Sequence, residues 1–329
     1  MFSELTDATG QIDPKFLISY WLPALVATMG RLVVSALLVG PDLFDFWANN
    51  LDSVEQILIG VVLLGVTTVL SLFFKAVKRP VQGLFAGGFL PRPVAAWGTR
   101  RQLRAKAHVE HLVSAGDEQD LELWMQRARH TLERGFPQAS GHVKPTRYGN
   151  VLASLEEHTR FVHGMDVWLW WPRLKPLLPD VMADSTESQD ASTTGLLNLS
   201  LVWAAIGLAG AAVLGFVGQN WTTALWVLVI GLLLSWCCYR AAVQQGTEAG
   251  RYLHAAFDLY RHEILKQMEL DVPSDHAAET ALWQALTRQL MDRSPKVSDT
   301  HLTPGAPINI AKNGHTQRHP PAARSMSTA

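Results

Sequence analysis

Cysteine is nearly missing from this chain, with two among 329 residues, and those two, Cys237 and Cys238, are neighbours. A disulfide framework is excluded. No His or further Cys stands within a few residues of them, so a metal site lacks its spacing and both thiols read as small apolar side chains. Also missing are a Walker A loop, GxGxxG, GxSxG, CxxC and HExxH. No run shows strand-like two-residue alternation of useful length, and no internal repeat relates the two halves. Net charge is close to zero, 28 Lys and Arg against 29 Asp and Glu, which excludes a polycation built for nucleic acid. Neither cofactor nor metal is expected. A basic leader is absent too. The first fifteen residues are acidic and the first apolar run is too long for a signal peptide, so that run is expected to be retained.

What the chain has is long apolar runs. They occupy residues 16–40, 57–74, 196–217 and 221–243, each able to cross about 30 Å of hydrocarbon at roughly 1.5 Å per helical residue. The expected fold is all-α, a membrane protein with four transmembrane helices in two hairpins and a helical polar domain. Residues 75–106 carry eight Lys and Arg and no acid: Lys75, Lys78, Arg79, Arg92, Arg100, Arg101, Arg104 and Lys106. Basic residues beside a span stay in the cytoplasm, which places the central block and both termini there. The division is then residues 1–15 as a cytoplasmic N-terminus, 16–74 as the first hairpin, 75–195 as a cytoplasmic helical domain and 196–243 as the second hairpin. Residues 244–292 form a cytoplasmic helical extension packed on the central domain, and the polar 293–329 a disordered tail.

Within the polar block, helices are expected over 100–115 and 117–134, and from just after Pro145 to Gly164. Tyr148, Val151, Leu152, Leu155, Thr159 and Val162 give the last of these one buried face, with Glu156 and Arg160 paired outside it. The apolar pattern continues past the fourth span through Leu253, Phe257, Tyr260 and Ile264. Pro273-Ser274 then stops it and caps a final helix carrying Trp283 and Leu286.

Several residues stand out as sites. Arg31 lies inside the first span, where a charge costs roughly 2.5 to 3.5 kcal/mol near the centre. It shares a stripe of small and polar residues with Ala24, Thr28 and Ser35, so it is expected to face helices, either beside a conduit or bonded to carbonyls and reaching outward. Gly207, Ala211 and Gly215 form a four-residue ridge for close helix packing, within the bundle or between copies. The Trp-rich segment holds Trp168, Trp170, Trp171, Arg173 and Lys175, residues that suit either the headgroup layer or the core of a small domain. Lys75, Lys78 and Arg79 are candidates for anionic lipid, or serve topology alone. Glu156, His158, His163 and Asp166 contain acid and base groups, but in no recognised catalytic spacing.

Three stretches carry a resemblance: the basic segment after the second span, PTRYGNVLASLEEHTRFVHGMDVWLWWPRLKPLLP at 145–179, and YLHAAFDLYRHEIL at 252–265. In these the chain resembles a family of bacterial, actinomycete-type multi-span membrane proteins of unknown function. It departs at His163-Gly164-Met165-Asp166 and at the Gly-rich 83–88. The resemblance implies a bacterial cytoplasmic membrane and no particular activity. The leading expectation is a non-enzymatic membrane protein that binds a protein partner or organises a complex at the cytoplasmic surface. An oligomeric pore with Arg31 near the conduit is second, with homo-oligomer contacts implied, and a membrane-bound enzyme is third.

Overall fold

The structure is a computed structural model that describes residues 13–40, 52–114, 132 and 134–292. All regular elements among these residues are helical. Helix α1 runs over Pro14–Val39, with a π-helical stretch at Leu17–Trp21, and α2 over Ser53–Ala76. Next come α3 (Lys78–Phe85), α4 (Arg92–Ser114), α5 (Arg147–His163) and α6 (Val167–Leu174). Then follow α7 (Asp180–Phe216), α8 (Trp221–Gln267) and α9 (His276–Asp292). Four of these helices, α1, α2, α7 and α8, are long and apolar enough to span a bilayer, so the chain is an all-α, multi-pass membrane protein.

At 37 and 47 residues, α7 and α8 are about 55 and 70 Å long at 1.5 Å per residue. Both overrun the membrane on the same side, and the overrun carries the polar domain. They form an antiparallel pair whose closest approach is Gly207 against Gly231. A Cβ on Gly231 would sit 2.5 Å from the Gly207 Cα, so only hydrogen fits at this crossing. Nearby, Ser200 donates to the Ser235 carbonyl at 3.0 Å. Gly215 lies under the Trp221 ring and Ala211 is half-buried. At Gly207 and Gly215 the ridge therefore serves the intramolecular hairpin.

Helix α1 docks on α7 through a defect. Pro23 has no amide hydrogen, which deprives the Ser19 carbonyl of its α-helical donor. Asn198 of α7 fills the vacancy, its Nδ2 donating to Ser19 O at 2.9 Å in a fully buried setting. Two turns along α7, Ala191 O lies 3.1 Å from the Ser19 hydroxyl, whose proton it shares with Lys15 O at 2.7 Å. Between α1 and α2, Thr67 Oγ1 donates to Thr28 Oγ1 at 3.1 Å.

Ion pairs stitch the membrane edge of the domain. Lys15 reaches Asp184 at 3.0 Å and Glu187 at 2.6 Å, Lys175 reaches Glu187 at 2.7 Å, and Lys78 reaches Asp190 at 2.5 Å. All three acids lie on the polar part of α7, which was expected to precede the span as part of the domain and is instead the same helix.

The domain core is built where α5, α6, α8 and α9 meet. Trp170 and Trp283 are both 0% exposed and meet edge to face at 5.0 Å between ring centroids. Each indole is satisfied, Trp170 Nε1 by Thr287 Oγ1 at 2.9 Å and Trp283 Nε1 by Glu279 at 3.3 Å. Burial works against the Glu279 carboxylate, yet hydrogen bonds from Arg261, His262 and Trp283 hold its pKa at about 2.

Helix α4 begins at Arg92, eight residues before the expected start. Pro93 suits a first helical turn, and the Gly-rich segment breaks the chain only at residues 86–90. There Gly87 has φ +91°, and a Cβ on it would collide with the Pro145 ring. The expected helix over 117–134 and the tail over 293–329 fall almost wholly outside the described residues.

Candidate functional site

An apolar crevice of about 470 Å³ lies between α1, α2 and α7. Its walls are Ala27, Gly30 and Val34 from α1, Leu70 and Phe74 from α2, and residues of α7 from Leu201 to Val213. Those α7 residues span about 18 Å of helix rise, over half of a ~30 Å hydrocarbon core. Small residues make the gap: Gly30 faces Ile206 and Gly210 faces Val34, so α1 and α7 touch only where a side chain is missing. Into this apolar space project one charge and one hydroxyl, Arg31 and Ser35, a turn apart on α1.

Arg31 lies eight residues from Val39, about 12 Å along the helix. It is exposed on the bundle and lines the crevice. Among the described residues no carboxylate lies within 4.0 Å of it and nothing accepts its hydrogen bonds. A guanidinium at this depth without an internal partner favours any anion that can reach it. Thr28, expected on the same stripe, is buried against α2 instead and does not line the crevice.

The other expected sites separate. Of the two readings open for the Trp-rich segment, headgroup layer or domain core, Trp170 takes the core: its indole donor is spent on Thr287, and its ring on Trp283. Trp171 is half-buried against Phe257 at 6.3 Å, whereas Trp168 is exposed. Arg173 lies 5.7 Å from the Trp170 ring centroid, and Lys175 is held by Glu187. In the basic block Lys75 and Arg79 are exposed, and Lys78 is tied to Asp190. Arg101 stacks on Trp97 at 5.6 Å, and both are exposed with Phe89 nearby in sequence. Lys106 is buried, donating to the carbonyls of Pro137 at 2.7 Å and Gln138 at 2.5 Å.

The two acids share one partner and the two histidines go to others. Glu156 and Asp166 both accept from Arg160, at 3.1 and 3.2 Å, and Asp166 also caps α6. Glu157 is buried and accepts the amides of Gln138 and Ala139, fixing the loop that enters α5. His158 stacks on His254 at 4.3 Å, and His163 Nε2 meets Asp258 Oδ1 at 2.7 Å. Burial pushes His163 below its ordinary value despite that carboxylate. It pushes His254 down to about 4, with help from His158. The four residues expected for an enzyme site do not converge on one cleft, and no cluster of three metal-ligating side chains exists among the described residues.

Sequence reasoning overlooked Arg147 and Arg240. They lie 93 positions apart, one at the first turn of α5 and the other where α8 leaves the membrane, and they line a second, smaller pocket together. No periodicity links such a pair. Comparison with family models, with curated proteins and with solved structures gives no match, so the family resemblance rests on its sequence motifs alone.

Proposed function

We propose that this is a binding protein of the membrane, not an enzyme, and that its crevice holds an anionic amphiphile with the head group on Arg31. The observation that carries the reading is a guanidinium without an internal partner at the wall of a 470 Å³ apolar cavity. Apolar walls take an acyl or prenyl chain, and the cation at the crevice wall selects a head of opposite sign. Exposed Lys75, Arg79, Arg92, Arg100, Arg101 and Arg104 favour a cytoplasmic location for the domain, with both termini on that side. The domain then serves as the surface on which a protein partner is organised.

The test is extraction of co-purified lipid from the full-length protein, with quantitation by mass spectrometry. Wild type should retain about one anionic amphiphile per chain, and Arg31→Gln should lose it while Arg31→Lys keeps part. Equal retention by wild type and Arg31→Gln, or none by wild type, refutes the reading. A symmetric oligomer in native mass spectra, with liposome flux lost in Arg31→Gln, would instead favour a conduit.

A further inference from the structure

At the opposite end of the bundle the structure contains a second cavity, of about 240 Å³, enclosed by Phe136, Arg147, Val151, Arg240, Val243 and Thr247. Two guanidinium groups share this small space. Among the described residues neither has a carboxylate within 4.0 Å, and neither donates a hydrogen bond. Burial first, and then the like charge of Arg240, pull Arg147 below the ordinary guanidinium value. Arg147 is half-buried and Arg240 exposed, so folding sets two like charges at one pocket without supplying the anion that would relieve them.

Neighbouring groups fix the depth of the cavity. Arg240 lies over the exposed ring of Trp236, 5.7 Å from its centroid, one turn inside the domain end of the fourth span. An indole under an arginine at the end of a spanning helix marks the layer of lipid phosphates. Tyr239, beside Arg240 in the chain, is tied to other elements, its hydroxyl accepting the Tyr148 amide at 3.2 Å and its ring stacked on Phe85 at 5.7 Å. The cavity thus lies at headgroup level. Phe136 is held there by the loop that Lys106 and Glu157 clamp, which gives those buried charges a positioning role for the pocket wall.

We infer that Arg147 and Arg240 form a binding site for a phosphate group at the membrane surface. Guanidinium pairs match phosphate oxygens in a fork geometry, and a phosphate bridging both cations removes their mutual repulsion. The volume admits a phosphate with a small polar substituent. The phosphate can come from an anionic phospholipid headgroup or from free phosphate in solution. The inference is independent of Arg31, which lies in the other cavity.

The test uses the full-length chain in nanodiscs. In zwitterionic phosphatidylcholine discs, thermal stability is titrated with inorganic phosphate against chloride at matched ionic strength. In discs containing phosphatidylglycerol, retained lipid is counted by native mass spectrometry. Phosphate-dependent stabilisation of wild type, weakened about tenfold or more in apparent affinity by Arg147→Gln/Arg240→Gln, supports the site with free phosphate as its source. Retention by wild type of one phosphatidylglycerol more than the double variant holds supports the site with the headgroup as its source. If wild type responds in neither arm, or the double variant responds as wild type does, the inference is overturned. The single variants Arg147→Gln and Arg240→Gln give the same readout should the double variant fail to fold.

Discussion

Asn198→Ala tests the account of how α1 is docked on α7. The substitution removes the donor that Ser19 O receives at 2.9 Å, and Pro23 leaves that carbonyl without its usual helical replacement. An unpaired buried acceptor costs about 1–3 kcal/mol in soluble cores, whereas interhelical polar bonds in membranes average nearer 0.6 and reach about 1.7. Asn198 Oδ1 is itself buried and unpaired among the described residues, so deleting it offsets part of the loss. The expected net cost is about 1 kcal/mol, or about 2–4 °C in Tm, read by tryptophan fluorescence during thermal unfolding in nanodiscs. Pro23→Ala restores an amide hydrogen at position 23. In that background Asn198→Ala should cost less than half as much, because the carbonyl now has a donor within its own helix. Equal costs in both backgrounds would refute the reasoning, since Asn198 would then be stabilising α1 by some other contact.

Two further outcomes follow from the packing and from the histidines. Gly231→Leu forces a branched side chain into the space of the Gly207 backbone and should lower stability by about 1–3 kcal/mol, while Leu232→Ala on the lipid-exposed face should cost far less; equal Tm shifts in the two variants would contradict the close crossing. His254 lies on the part of α8 beyond the membrane, facing His158, His163, Asp258 and Arg134, and its pKa falls from 6.5 to about 4 on folding. The unfolded chain then binds the proton more readily, so stability is full above pH 6.5 and is lost as pH falls toward 4. At pH 5 the loss is about 1–2 kcal/mol after discounting for solvent screening. His254→Gln should flatten the Tm profile over that interval, and an unchanged profile would refute the assignment.

Much of the architecture was legible because it follows from hydrophobic length and helix punctuation. The four spans, the stop at Gly164, the continuation past the fourth span and the start of α9 after Pro273 all fit the expected pattern. The polar first half of α7 was not legible as part of a long helix. Its buried positions are Thr186, Ala191, Thr193, Thr194 and Gly195, which are too small or too polar to print a hydrophobic stripe. Only the α8 partner and the lysines of α1 and α3 reveal what that face is for. Arg31 was legible as an anomaly, since a lone cation in an apolar run stands out. The crevice beside it was not, because its volume arises from what Gly30, Ala205 and Gly210 lack. Trp170 could not be told from its exposed neighbour Trp168 by residue type. Their separation depends on Asp166, which caps α6 and sets the rotation of the helix.

The unbroken course of α8 has a mechanical consequence. From Val243, where the apolar run ends, to Gln267 the helix continues for 24 residues, a lever arm of about 36 Å without a hinge. Gly246 and Gly250 are both buried within it, and helical hydrogen bonding continues through them. A tilt of about 5° at the membrane therefore sweeps its far end through about 3 Å. The Trp283 core is fastened to that end, so the domain reports the angle of the fourth span as a pointer reports the turn of a dial.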